Sequence, residues 1–328
     1  PLSQMVRGGD AVSWFVYGTL YTVAILIMGI KALVKYRHSR YQMIRTSSIM
    51  GTQLVLAWYI PHWMVKMKQP EFYPSYFWPL EWKGLMPDKV DQLLTRGGMG
   101  QFVVGWAIVM LLIATPFLTY KYGKRWYCSW VCGCGGLANT AGDSWRQLSD
   151  KSVKAWKLER VMIYSILVFA IVMTAVVWAD AKYQYLGGLA KPLKTTYAFV
   201  IGSAFSGVIG VGFYPLLGTR VWCRFGCPMA AILGTIQKFK SKFRITTNGG
   251  QCISCGNCST YCEMGIDVKW YAQRGQDIKR ASCVGCGICS AVCPRGVLNL
   301  ENGPTEQREE YQIDLLGTLK ARSLEKKK

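Results

Sequence analysis

Histidine is almost missing from this chain: there are two in 328 residues, His38 and His62. A membrane protein that binds haem b through paired imidazoles needs at least two inward-facing histidines per haem. Only His62 lies in an apolar stretch, so that class is nearly closed. Charge is also scarce, at 17% of residues against about 25% in soluble domains. Acid is scarcer still, with 18 Asp and Glu facing 39 Lys and Arg, a net charge of +21. No paired carboxylates, Ser-His-Asp pattern or phosphate-binding glycine loop is visible, so the chain is not expected to break bonds by itself. What it does have is 51% hydrophobic residues, 13 cysteines and a mean hydropathy of +0.16. That apolar content excludes disorder, and the length excludes a small disulfide-stapled secreted domain. The remaining class is a membrane protein with metal-binding cysteines. The first residue is Pro1 rather than Met, which leaves upstream sequence and any signal peptide open.

Five segments are long enough to span about 30 Å of hydrocarbon: roughly 11–33, 47–65, 99–120, 161–179 and 197–217. The third and fourth carry no charge. The second is the weakest, because Pro61 and His62 near its end predict a kink or an interfacial position. Lys and Arg concentrate in 31–45, 121–160 and 218–328, which hold 18 of the 21 net positive charges. The positive-inside bias therefore puts those stretches in the cytoplasm and the N-terminus outside. Because the basic residues follow the membrane boundary and no groove-reading motif accompanies them, nucleic-acid binding is not expected. The outside loop 70–82, PEFYPSYFWPLEW, reads first as an aromatic belt at the interface, and otherwise as a quinone edge or docking surface. Gly202, Ser206 and Gly210 recur every four residues and suit close helix packing. His62 reads first as an interfacial polar residue rather than a ligand, and 303–328 as a surface helix or partly ordered tail.

Two repeats carry the chemistry. In the tail, Cys252-x2-Cys255-x2-Cys258-x3-Cys262 recurs 31 residues later as Cys283-x2-Cys286-x2-Cys289-x3-Cys293-Pro294, with Gly256 and Gly287 in register. This is the bacterial ferredoxin spacing for two [4Fe–4S] clusters. Three closely spaced thiolates wrap one cubane and the fourth serves its neighbour. Cluster 1 then takes Cys252, Cys255, Cys258 and Cys293; cluster 2 takes Cys283, Cys286, Cys289 and Cys262. Zinc would prefer paired knuckles with four ligands of their own. Cys262 is followed by Glu263, where a proline is usual in such runs. In the second repeat, Gly123-x-Arg125-x2-Cys128-x3-Cys132 recurs 95 residues later as Gly218-x-Arg220-x2-Cys223-x3-Cys227, each copy with a tryptophan (Trp126, Trp222). Both begin just past the inner end of a span, and x3 spacing puts two sulfurs on one helical face. Cys128, Cys132, Cys223 and Cys227 thus provide a possible third cluster at the membrane surface, with Fe–S favoured over zinc; buried, inert cysteines are the alternative. Cys134 is a bystander or a substitute for Cys132.

The paired C-x3-C and ferredoxin motifs resemble a family of membrane polyferredoxins with NapH-type, NosR-type and CcoG-type members. Cys223, Cys227 and Pro228 match its C-x3-C-P motif in full, Cys128 and Cys132 match without the proline, and the resemblance covers about 99–300. It implies a mainly α protein: a five-span bundle (1–234), a di-cluster ferredoxin-like α+β domain (235–302) and a tail (303–328). It further implies a multi-pass protein of the bacterial cytoplasmic membrane with its ferredoxin domain in the cytoplasm. The expected role is an iron–sulfur electron-transfer subunit, relaying electrons along the cytoplasmic face between the quinone pool or membrane redox partners and a respiratory complex. A quinone, a periplasmic cytochrome or a flavoprotein is a candidate partner. The alternative is a redox-active assembly or regulatory factor of the CcoG kind. Iron and acid-labile sulfide counted on anaerobically purified protein are expected at about twelve per chain, three cubanes of four; about eight would leave only the tail clusters, and zinc would contradict electron transfer.

Overall fold

The computed structural model describes residues 2–10, 12–183 and 187–302; the tail expected at 303–328 lies outside them. Among the described residues four helices are long and apolar enough to cross a membrane: α1 (Ser13–Lys35), α3 (Gly98–Tyr122), α4 (Val153–Tyr183) and α5 (Gly188–Gly212). Each is a helix of at least 23 residues with an apolar 18-residue stretch, and at 1.5 Å per residue its length exceeds the hydrocarbon thickness. The second expected span also lies on a helix, α2 (residues 40–66), whose middle turns 53–59 are widened to π geometry. It has the length but not the apolarity of the other four. Its buried face carries Gln42, Arg45, Thr46, Gln53 and His62, because it packs against protein rather than lipid. Pro61 lies inside this helix, just after the widened turns; its ring and missing N–H disfavour regular α geometry there, and the helix departs from it by π widening. His62 is buried, its ring edge-on to Phe15 and Trp58, beside the first turn of α1.

Packing follows residue size. Gly29 of α1 admits Met50 of α2, whose Sδ would lie 2.7 Å from a methyl there. In α4 the buried residues Ala155, Glu159, Ile163, Ile166, Ala170, Met173 and Val177 recur every three to four positions, one stripe facing the core. Of the expected small-residue stripe on α5, Gly210 is the tight position, 2.8 Å from Trp222 Cβ were it an alanine, whereas Gly202 makes only ordinary contact.

Two features depart from a simple bundle. The cysteine-bearing segments after α3 and α5 turn back into it. A Cβ on Gly133 would meet the hydroxyls of Tyr76 (2.2 Å) and Tyr21 (2.6 Å), and one on Gly136 would meet Ile49 and Ile25. Tyr21 and Ile25 lie about 21 and 15 Å along α1 from Lys35, at 1.5 Å per residue. On the other arm, Gly226 abuts Phe205, about 10 Å along α5 from Gly212 on the same rise. From the opposite end, loop 70–82 descends to meet them. Trp106 donates to the Pro74 carbonyl (3.1 Å), Tyr127 to the Ser75 carbonyl (2.7 Å), and Phe77, 2% exposed, is edge-on to Tyr127 at 5.5 Å. The loop is thus folded into the bundle rather than laid out as an interfacial belt, because its backbone finds donors there.

The C-terminal part opens with helix α6 (Pro228–Lys240), so the boundary expected at 234/235 falls inside a helix. Strands β1 (Phe243–Thr247) and β2 (Leu298–Asn302) pair antiparallel, Ile245 opposite Leu300, and bracket the ferredoxin motifs. Phe243 ties the two parts together. It is 2% exposed, lies beneath Gly123 and Gly285, and carries the Arg125 guanidinium 4.5 Å from its ring centre. Phe243→Ala is expected to cost about 3–5 kcal/mol, read as a lower thermal midpoint of the detergent-solubilised protein.

Candidate functional site

The 31-residue repeat is a conformational repeat. Gly256 and Gly287 both adopt left-handed backbone (φ +82° and +73°) and each caps a four-residue helix, Asn257–Thr260 and Ile288–Ala291. Glycine is the residue that takes this conformation without a Cβ penalty. The two copies line separate cavities of about 360 Å³ each, counting their open mouths. The first is walled by Cys252, Cys255, Cys258 and Cys293. The second is walled by Cys262, Cys283, Cys286 and Cys289. In each cavity, three thiols come from one motif copy and the fourth from the other.

The cavities differ in setting. Cys255 and the neighbouring Ile253 are exposed, so the first opens to solvent. The second lies against the bundle, and the carbonyls of its loop are taken by side chains from elsewhere. Lys124 donates to Ala281 O (3.3 Å), Gln237 to Cys283 O (2.7 Å), Ser129 to Val284 O (2.7 Å), Tyr41 to Gly285 O (2.8 Å) and Gln42 to Cys286 O (2.8 Å), with Arg45 on Cys286 O as well. Inside, the Ile266 N–H reaches Cys262 Sγ at 3.4 Å. Burial pushes Cys262 up to about 12 and Cys283 up to about 11. A thiolate here needs a compensating positive centre, as an iron–sulfur core supplies.

The 95-residue repeat is conformational too. Gly123 (φ +70°, ψ −176°) and Gly218 (φ +87°, ψ 176°) share one turn, in a region open essentially to glycine alone. Each turn sends its arm back into the bundle, and Cys128, Cys132, Cys223 and Cys227 all arrive buried in one core. The thiols are near enough to influence one another: Cys128, raised to about 12 chiefly by burial, also feels Cys132 and Cys223, and Cys227, raised by burial, feels the other three. Cys134 stands beside them: it and Cys132 influence each other, and it also feels Cys223 and Cys227. The four thiols lie within the helix bundle, because both arms turn inward at their glycines.

No three His, Cys, Asp or Glu side chains among the described residues converge closely enough to hold a single ion. Four sulfurs around one zinc would sit about 3.8 Å apart, given tetrahedral bonds of about 2.3 Å. The two ferredoxin-type thiol sets instead line cavities of about 360 Å³, which suits a polynuclear core.

Similarity to known families agrees. Residues 251–298 match the 4Fe-4S dicluster domain family. Residues 104–154 and 200–246, one for each copy of the second repeat, match a 4Fe-4S binding domain family. The chain carries 4Fe-4S ferredoxin-type domains and is similar to polyferredoxin-like electron transport proteins. The chain is 28% identical over 179 residues to the putative electron transport protein YccM of Escherichia coli (52% of this chain, 50% of that one). It is 24% identical over 185 residues to the methylamine utilization ferredoxin-type protein MauN of Methylobacillus flagellatus (55% and 63%). It is 21% identical over 252 residues to protein NirI of Paracoccus denitrificans (75% and 34%). The chain spans about half the length of the curated relatives it matches. No solved structure matches it. These relationships are consistent with the NapH-type family.

Sequence reasoning missed Arg220, Arg146, Arg45 and Glu263 as a buried group. The one signal was Glu263 where proline was expected. Gly135 is a sharper constraint: a methyl there would lie 2.0 Å from Cys128 O and 3.0 Å from Arg220 Nη1. Gly135→Ala is therefore expected to displace the Cys128 arm and lower bound iron by about a third, one cubane of three, measured by iron analysis of the purified variant.

Proposed function

We propose that this polyferredoxin-like protein is a membrane-embedded one-electron relay with three metal sites in series. Cys252, Cys255, Cys258 and Cys293 hold the solvent-facing [4Fe–4S] cluster. Cys283, Cys286, Cys289 and Cys262 hold the second. Cys128, Cys132, Cys223 and Cys227 hold a third iron–sulfur centre inside the bundle. The observation that carries this reading is the order of thiol exposure: a first set with Cys255 exposed, a second set with none exposed, then four thiols all buried in the bundle. Iron–sulfur cores supply reversible one-electron storage. The chain's own part is to provide thiolates, turn loop carbonyls outward, exclude water and surround the anionic sites with Lys and Arg.

The basic end, with the open cavity, faces the cytoplasm in this reading, following the Lys and Arg bias. Electrons pass between the membrane's redox partners, the quinone pool among them, and other redox proteins of a respiratory assembly. The inward turn of both C-x3-C arms supports a relay running into the bundle rather than only along its face. The tyrosine contacts to loop 70–82 extend that line toward the other end. Cys134 is read as a neighbour of Cys132, not a ligand.

Cys223→Ser tests the third site. Anaerobically purified and reduced with dithionite, the variant is expected to lose one of three EPR signals and keep two. Retention of all three would contradict the assignment.

A further inference from the structure

Between the second cavity and the bundle thiols lies a group of charges shut off from water. Glu263, next to Cys262, is 1% exposed, as are Arg45 and Arg220, and Arg146 is 0% exposed. One carboxylate oxygen of Glu263 accepts from Arg220 Nε at 3.1 Å and lies 3.0 Å from its Nη2; the other accepts from Arg146. Arg220 continues past the carboxylate. Its Nη1 donates to Cys128 O at 3.0 Å and reaches Cys223 Sγ at 3.7 Å, and its Nη2 donates to Asn139 Oδ1 at 3.0 Å. Arg146 is held in turn by Asp143 (2.6 Å) and Asn139 O (3.2 Å). The Glu263 backbone is fixed as well, its carbonyl accepting from Ser149 Oγ at 2.8 Å. One carboxylate thus joins the chain beside Cys262 to the guanidinium that touches both arms of the bundle site.

A buried carboxylate is costly unless paired, and a buried guanidinium equally so. The equivalent position after Cys293 is Pro294, a residue that offers neither charge nor hydrogen bond. Glu263 is therefore not what the local turn asks for. It is what the neighbouring arginines ask for.

We propose that Glu263 is a positioning residue that couples the two deeper metal sites: through Arg220 and Arg146 it fixes their spacing, and its charge sets both their potentials. This rests on the reading of Cys262 and Cys223 as members of two metal sites. One electron moves between those sites; the donor site is oxidised, the acceptor site reduced, and no bond or proton changes place. Reduction adds negative charge, so removing the Glu263 charge while Arg45, Arg146 and Arg220 remain makes reduction easier at both neighbours. Removing Arg220 has the opposite sign. The Cys252/Cys255/Cys258/Cys293 site opens to solvent, where water and salt screen such a change.

The test is an EPR-monitored redox titration of the anaerobically purified full chain and of Glu263→Gln, Glu263→Asp and Arg220→Gln. Glu263→Gln is expected to raise two of three midpoint potentials and leave the third unmoved. Arg220→Gln is expected to lower the same two, and Glu263→Asp, which keeps the charge, to stay near the native values. A merely structural role would not give shifts of opposite sign. Equal shifts at all three sites, no shift, or shifts of the same sign in the Gln variants would overturn the proposal. If Glu263→Gln does not assemble, Arg220→Gln decides: lower potentials at two sites support the coupling, and unchanged ones overturn it. A native iron count of about eight instead of about twelve, two cubanes and not three, would overturn the three-site reading itself and is separable from every titration result.

Discussion

The Arg220 guanidinium is the contact on which the two halves of the molecule depend. It lies under the Cys223 arm of its own motif, bonds the Cys128 backbone of the other, and closes on Glu263 from the ferredoxin-like part. Gly218, two residues earlier, turns the chain inward so that this arginine is delivered to the bundle interior instead of to the rim. A guanidinium suits this place because its planar fork makes several directed bonds at once and keeps its charge when buried. Without water to solvate it, each N–H must find a protein acceptor, and those acceptors are what bring the segments together.

The same accounting explains the rest of the architecture. Helix α2 is polar on one face because its donors hold the loop beside the second cavity: Tyr41, Gln42 and Arg45 all bond carbonyls of Gly285 and Cys286. From the other end, loop 70–82 enters the bundle because Tyr127 and Trp106 satisfy its carbonyls and its aromatic rings fill the space between helices. The result is a graded environment, from a thiol set open to solvent to one enclosed by protein. That grading gives three sets of like thiols distinct surroundings.

Some of this was legible in the sequence and some was not, for physical reasons. Repeats read well, since equal spacing of glycine and cysteine imposes equal backbone geometry: Gly256 with Gly287, and Gly123 with Gly218, share conformations. Long apolar runs read well because membrane span length is set by hydropathy alone. The position of the C-x3-C thiols did not, because spacing fixes which sulfurs share a face but not which way the arm turns. Nor did the fate of loop 70–82, whose aromatic and proline content fits an interface as well as an interior. Glu263 was visible only as an oddity after Cys262. Its partners come from positions 146 and 220, and no local pattern connects residues that far apart.

In the proposed relay three compact iron centres lie in series from solvent into the bundle. Anomalous scattering at the iron edge, on crystals of the anaerobically loaded protein, tests it directly. Three iron peaks are expected: one within Cys252, Cys255, Cys258 and Cys293, a middle one within Cys262, Cys283, Cys286 and Cys289, and a third within Cys128, Cys132, Cys223 and Cys227. Two peaks confined to the C-terminal part, or a zinc edge signal in place of iron, would contradict it.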